Sequence, residues 1–183
     1  MNERLHGFTL TELMVALAIL AVLLAIAAPS YRDFVVDSRM NGEANEFLTM
    51  LNFTRSEAVK RNGTVSMCSS ANGTGCANSG NWAQGWIVFV DLDGNGGFAS
   101  DSDTILRVHG ALNEQSSLAG TLTGTATAAT NVSFLPDGRA MLSGGPPHNG
   151  TFVLCTSGET VAGRQITVTL GRAQLLPEKP TCS

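Results

Sequence analysis

The stretch Asp91-Leu92-Asp93-Gly94-Asn95-Gly96-Gly97, followed by Asp101 and Asp103, gathers more groups able to bind or react than any other part of this sequence. Side-chain oxygens stand at its first, third and fifth places and glycine at its sixth, the spacing of an EF-hand-like calcium loop. The place of the closing acid is taken by Ser102, so Asp101 or Asp103 would have to substitute. The competing reading is an Asx- and glycine-rich surface turn. Four cysteines, Cys68, Cys76, Cys155 and Cys182, form an even set, two of them close together in a Gly/Asn/Ser loop. They suit disulfides in an oxidising compartment better than a zinc site, since no Cys-x-x-Cys pair or flanking His is present. With the cysteines paired, no thiol nucleophile remains, and His6, His109 and His148 are scattered. No enzyme is expected.

A further carboxylate stands where it is costly. Glu12 immediately precedes Leu13 to Ala28, a run without charge, glycine or proline. Residues 8 to 28 supply the about 20 residues that cross a bilayer core. A carboxylate within lipid costs about 2.5 to 3.5 kcal/mol at a helix centre and less near its edge, so Glu12 implies a partner or a position at the interface. Read as a secretory signal, the segment would instead offer Arg4 as its basic region and Ala25-Ile26-Ala27 as a cleavage site. The helical pattern continuing past Pro29 speaks against that.

Gly7-Phe8-Thr9-Leu10-Thr11-Glu12-Leu13 resembles the processing site of type IV prepilins and pseudopilins: a polar leader ending in glycine, a phenylalanine that becomes the mature N-terminus, and a glutamate as its fifth residue. The resemblance implies that a prepilin peptidase removes residues 1–7 by cutting between Gly7 and Phe8, and that the new amine of Phe8 is methylated. That ammonium would be the partner of Glu12 on a neighbouring subunit as the apolar helices pack in a filament.

Beyond the anchor, Met40, Ala44, Phe47, Leu51 and Ala58 make one apolar stripe, so residues 30–63 read as an amphipathic continuation of the helix that packs on a head. Pro29 and Gly42 are its weak points, and Lys60-Arg61-Asn62-Gly63 closes it, with Gly63 suited to a left-handed cap. From Gly63 on the period becomes that of strands. Residues 64–68, 86–90, 104–108, 132–135, 151–155 and 165–170 each read as one, and Pro136-Asp137-Gly138 as a turn joining Phe134 to Met141. Residues 119 to 131, nearly all Ala, Thr and Gly, read as a flexible connection. The fold class is α+β: a long helix, membrane-spanning over 8–29, against an antiparallel head at 64–183 in what reads as two small sheets.

Thr54-Arg55-Ser56-Glu57-Ala58-Val59-Lys60, the strand ending in Cys68, Trp82, Gly85-Trp86-Ile87-Val88-Phe89, Leu106-Arg107 and Gly171-Arg172, in that order, resemble the FimT/FimU/GspH group of minor pilins and pseudopilins. The resemblance implies a subunit held in the bacterial inner membrane with a periplasmic head. It would then join other minor and major pilins or pseudopilins at the tip of a type IV pilus or type II secretion pseudopilus, where it helps initiate assembly. Cys68 is expected to pair with Cys76 across a short glycine-rich loop, and Cys155 with Cys182 to tie the proline-containing tail, the latter agreeing with the C-terminal bridge that the resemblance implies.

Some FimT-like proteins take up DNA through Gly-Arg-x-Arg, and the matching place here is Gly171-Arg172-Ala173-Gln174, without the second arginine. Arg164 and Lys179 stand near enough in sequence to restore some charge. Phosphate affinity scales with the cations engaged, and the chain as a whole carries -4 with a pI near 5.3. A DNA-binding minor pilin is thus the alternative reading, and an assembly subunit the main one.

Overall fold

The computed structural model describes residues 9–124, 127–143, 149–157, 162–178 and 180–182, with the side chains at 26–30 outside that set. Helix α1 runs Leu10–Arg61 and is followed by nine strands: β1 Val65–Ser69, β2 Trp86–Val90, β3 Thr104–His109, β4 Ser116–Leu122, β5 Asn131–Phe134, β6 Ala140–Leu142, β7 Gly150–Thr156, β8 Arg164–Thr169 and β9 Arg172–Leu175. The chain divides into two units, Met1–Ser38 and Arg39–Ser183. In the first, the apolar side chains from Leu10 to Leu24 are exposed. Among the described residues no helix is long and apolar enough to cross a membrane.

The second unit is the head. One antiparallel sheet has the order β3-β2-β1-β5-β6 and the other β4-β7-β8-β9. Both meet the helix at Phe47, whose ring lies 5.2 Å from that of Trp86 on β2 and 4.9 Å from that of Phe152 on β7, with Trp82 at 5.5 Å. Met40, Ala44, Phe47, Leu51 and Ala58 are all buried, as their spacing predicts for one face. Polar contacts flank this core. Arg39 donates to Thr156 Oγ1 (3.1 Å), Ser116 Oγ donates to the buried carboxylate of Glu43 (2.7 Å), and Arg164 Nε donates to Asn41 Oδ1 (2.7 Å).

The helix ends one residue earlier in its geometry than the sequence suggests. Asn62, not Gly63, takes the left-handed conformation, at φ 52°. The N–H of Gly63 then donates to the carbonyl of Ala58 (3.2 Å) and that of Asn62 to Val59 (3.3 Å), the paired bonds of a Schellman cap. Asparagine tolerates this region better than most residues because its short polar side chain can hydrogen-bond to the local backbone. The Pro136-Asp137-Gly138 turn joins β5 to β6 with Phe134 opposite Ala140 and Ser133 opposite Met141.

Residues 119 to 131 are not simply a connection. Their first part belongs to β4, which pairs with β7 from Ser116↔Thr156 through Leu122↔Gly150. The other edge of β4 is covered: Trp82 N–H donates to Leu118 O (2.8 Å), Gly120 N–H to Gly80 O (3.2 Å) and Ala129 N–H to Gly120 O (2.9 Å). Small residues are required here because large ones already fill the space. A Cβ on Gly120 would stand 2.6 Å from the Phe152 ring and 2.9 Å from Trp82 Nε1. β9, also absent from the sequence reading, forms the far edge of the same sheet after a tight turn at Leu170 and Gly171, both at positive φ.

Candidate functional site

Thr9 directly precedes the first helical residue and Glu12 is the third residue within the helix. The Glu12 carboxylate oxygen Oε2 accepts the backbone N–H of Thr9 (3.1 Å) and its hydroxyl (3.0 Å), while Thr9 Oγ1 accepts the backbone N–H of Glu12 (3.3 Å). This is a reciprocal capping box, which satisfies two of the N–H groups that a helix start leaves unpaired. Glu12 thus has a partner in its own chain, one that the reading of the sequence overlooked although Thr-x-x-Glu before an apolar run is its signature. Gly7 and Phe8 lie outside the described residues.

Two disulfides join Cys68 to Cys76 and Cys155 to Cys182, with Cα–Cα distances of 5.6 and 5.7 Å. The first belongs to a small core on the face of the five-stranded sheet turned away from α1. There Cys68, Ile87 and Phe89 are buried beneath Cys76, Phe98 and Ile105.

Phe98 anchors the acidic loop over that face, its ring edge-on to Phe89 at 5.4 Å. Asp91, 2 % exposed, accepts Ser66 Oγ (2.6 Å) and the N–H groups of Gly94 (2.8 Å) and Gly96 (2.9 Å). Burial, the largest cause, holds its carboxyl above the ordinary range against the lowering pull of those donors. Asp103 is buried too and closes the loop by accepting the N–H groups of Leu92 (3.1 Å) and Ala99 (2.9 Å). Asp93 and Asn95 are exposed and bond to each other, and Asp101 is exposed. Among the described residues no three His, Cys, Asp or Glu side chains converge as a metal site.

Of the three basic residues Arg164, Arg172 and Lys179, two are described, and they differ in setting. Arg164 is 3 % exposed, and its guanidinium donates to Asn41 Oδ1, to Ala162 O (2.7 Å) and to Gly163 O (3.2 Å). It therefore fastens β8 to the helix, and its guanidinium is engaged within the head. Arg172 is exposed on β9, and Lys179 lies outside the described residues.

A capped apolar helix start, a long helix continuing into the head, and antiparallel sheets meeting that helix at Phe47 define a pilin-like subunit. Residues 4–28 match the prokaryotic N-terminal methylation motif, and residues 43–173 match the family described as type II transport protein GspH. The chain belongs to the GspH family. It is similar to the type IV minor pilin FimU of Pseudomonas aeruginosa, at 25 % identity over 80 % of this chain and 96 % of that one, with a TM-score of 0.60. The minor pseudopilin EpsH of the Vibrio cholerae type II secretion system shares the fold, at 15 % identity over 81 % of this chain and 99 % of that one, with a TM-score of 0.51. Among curated relatives, fimbrial protein EcpC of Eikenella corrodens is 51 % identical over 39 residues, 21 % of this chain and 26 % of its own length. Fimbrial protein Q of Moraxella bovis is 32 % identical over 106 residues, 54 % of this chain and 65 % of that protein. The matches thus span about a quarter of the first of these relatives and under two thirds of the second.

Proposed function

We propose that this chain is a minor pilin or pseudopilin that helps initiate a type IV pilus or type II secretion pseudopilus and sits at its tip, in contact with other pilins or pseudopilins. The observation carrying this is the order of two matches in one chain, a methylation motif at 4–28 ahead of a GspH head at 43–173. In this reading residues 1–7 are removed by a prepilin peptidase, Phe8 becomes the N-methylated N-terminus, and residues 8–29 anchor the chain in the inner membrane with the head in the periplasm. The anchor is argued from the sequence, whose uncharged run extends to Ala28, three residues beyond the last described side chain of that segment. The disulfides support an oxidising compartment for the head.

In this reading Glu12 has two functions. Its Oε2 holds the helix start through Thr9, and a carboxylate has enough lone pairs to accept a neighbour's Phe8 ammonium as well. The direct test is processing. Gly7 is the only glycine before the apolar run, and a scissile bond favours a small, conformationally free residue. Gly7→Val should leave an unprocessed precursor by mass spectrometry of the membrane fraction, absent from sheared filaments. A mature chain starting at Phe8 in that variant would refute the reading.

A further inference from the structure

Beneath the acidic loop lies one buried polar atom that no described residue satisfies. Asn131 on β5 is 8 % exposed, and its side-chain oxygen Oδ1 is buried without a hydrogen-bond partner. The amide is turned toward the loop. Its Oδ1 and Nδ2 both lie 2.8 Å from the point where Gly96 would carry a Cβ, so the open face of that glycine is filled by Asn131. Beside it on the same face of the sheet are Ser133 and Ser66, whose hydroxyls are 2.7 Å apart, and Ser66 in turn donates to Asp91. This side of the loop is therefore lined by oxygens: an orphaned amide, two hydroxyls and a desolvated carboxylate.

The charge balance is equally one-sided. Residues 91–103 contain four aspartates and no Lys, Arg or His, and among the described residues no cation pairs with the two buried ones, Asp91 and Asp103. Buried carboxylates ordinarily have a cationic partner or a metal ion. An orphaned buried acceptor ordinarily has a donor, a water or an ion.

We propose that this loop binds one calcium ion, held by the Asp91 carboxylate and Asn131 Oδ1 from within and by Asp93 and Asn95 from the solvent side. Asp103 serves as the clamp that returns the loop to Leu92. The carboxylates alone make no metal cluster because the set mixes acids with neutral oxygens, as calcium accepts and softer metals do not. Asp93 and Asn95, now bonded to each other at 2.6 Å on the surface, reach the ion by side-chain rotation. Magnesium, which demands near-ideal octahedral geometry and gives up its waters reluctantly, is disfavoured by the same set.

Equilibrium dialysis of the detergent-solubilised full chain against radioactive calcium, after chelator treatment, tests this. One ion per chain should bind saturably, with a Kd on the order of 10⁻⁴ to 10⁻³ M, the range of extracellular modules. Asp93→Ala, a change at an exposed side chain that keeps the bonds from Ser66, Gly94 and Gly96 to Asp91, should weaken uptake about tenfold or more, one lost charged ligand being worth at least that much. Asp101→Asn, which removes an equal charge outside the ligand set, should bind as the parent does, and Asn131→Asp should bind more tightly. Absence of saturable uptake by the disulfide-bonded parent would overturn the proposal, the amide being satisfied by water. Equal loss in Asp93→Ala and Asp101→Asn would overturn it as well, by showing diffuse attraction to an acidic surface.

Discussion

Glu12 and Arg164 show how differently a charged residue can be used. Both look like ligands in the sequence, one for an ammonium and one for a phosphate, and each is engaged within its own chain. Arg164 is buried and donates to Asn41 Oδ1 and to the carbonyls of Ala162 and Gly163, so truncation would remove a donor from each. Arg164→Ala should cost about 2 to 3 kcal/mol in urea unfolding of the full chain in detergent, whereas Arg172→Ala, at an exposed edge position, should stay within about 0.5 kcal/mol. Equal effects would contradict the structural assignment of Arg164. Asp91 carries a pH signature. Its carboxyl is held above the ordinary range by burial, so the folded state binds its proton more tightly than the unfolded chain does. The ionised form therefore costs stability at neutral pH, and the cost shrinks as pH falls through the folded value towards the unfolded one. In calcium-free buffer, the Tm of Asp91→Asn minus that of the parent should be most positive near neutral pH and decline toward acid. A pH-independent difference would mean that the carboxyl is ordinary.

At the scale of elements, the two glycines Gly120 and Gly42 make opposite predictions. Gly120 on β4 faces Phe152 and Trp82 at distances that no Cβ tolerates, so Gly120→Val should destabilise by about 1 to 3 kcal/mol through overpacking. Gly42 lies within α1 with nothing within 4 Å of a built Cβ, and Gly42→Ala should stabilise by about 0.5 to 1 kcal/mol. Thermal denaturation of the three proteins side by side checks both signs. The same contrast explains what the sequence could disclose. The helix stripe, the Pro136-Asp137-Gly138 hairpin and the Val- and Ile-rich strands were legible, because apolar periodicity and turn chemistry are written locally. β4 was not: Ser-Ser-Leu-Ala-Gly-Thr-Leu has weak strand propensity, and its small residues are dictated by aromatic rings that arrive from residues 82 and 152. The setting of Arg164 is hidden from the sequence for a related reason. Its environment is set by Asn41, far away in sequence, and nothing local distinguishes a buried arginine from a surface one. Nothing local to Asn131 marks it as a neighbour of the acidic loop, because its contact with Gly96 is made only by the fold.

For the whole molecule, the question is whether Glu12 serves the single chain or the assembly. The capping box stabilises the helix start in an isolated subunit, and a glutamine at the same place preserves that arrangement while losing the charge. Glu12→Gln therefore separates the two functions, and Glu12→Ala removes both. Neither should impair insertion, since each takes a charge out of the membrane-proximal helix, where a carboxylate is costly. If the charge meets the Phe8 ammonium of a neighbouring subunit, both variants should be cleaved and reach the membrane at parental levels yet appear in sheared filaments at a small fraction of the parental amount. Thr9→Ala, which keeps the carboxylate and removes the side-chain half of the cap, should assemble far better than either. The measurement is the ratio of filament-borne to membrane-borne protein for the three variants and the parent. Parental incorporation of Glu12→Gln together with failure of Thr9→Ala would show that the carboxylate acts as a helix cap alone, and would remove the intersubunit contact from the account of how this subunit joins its filament.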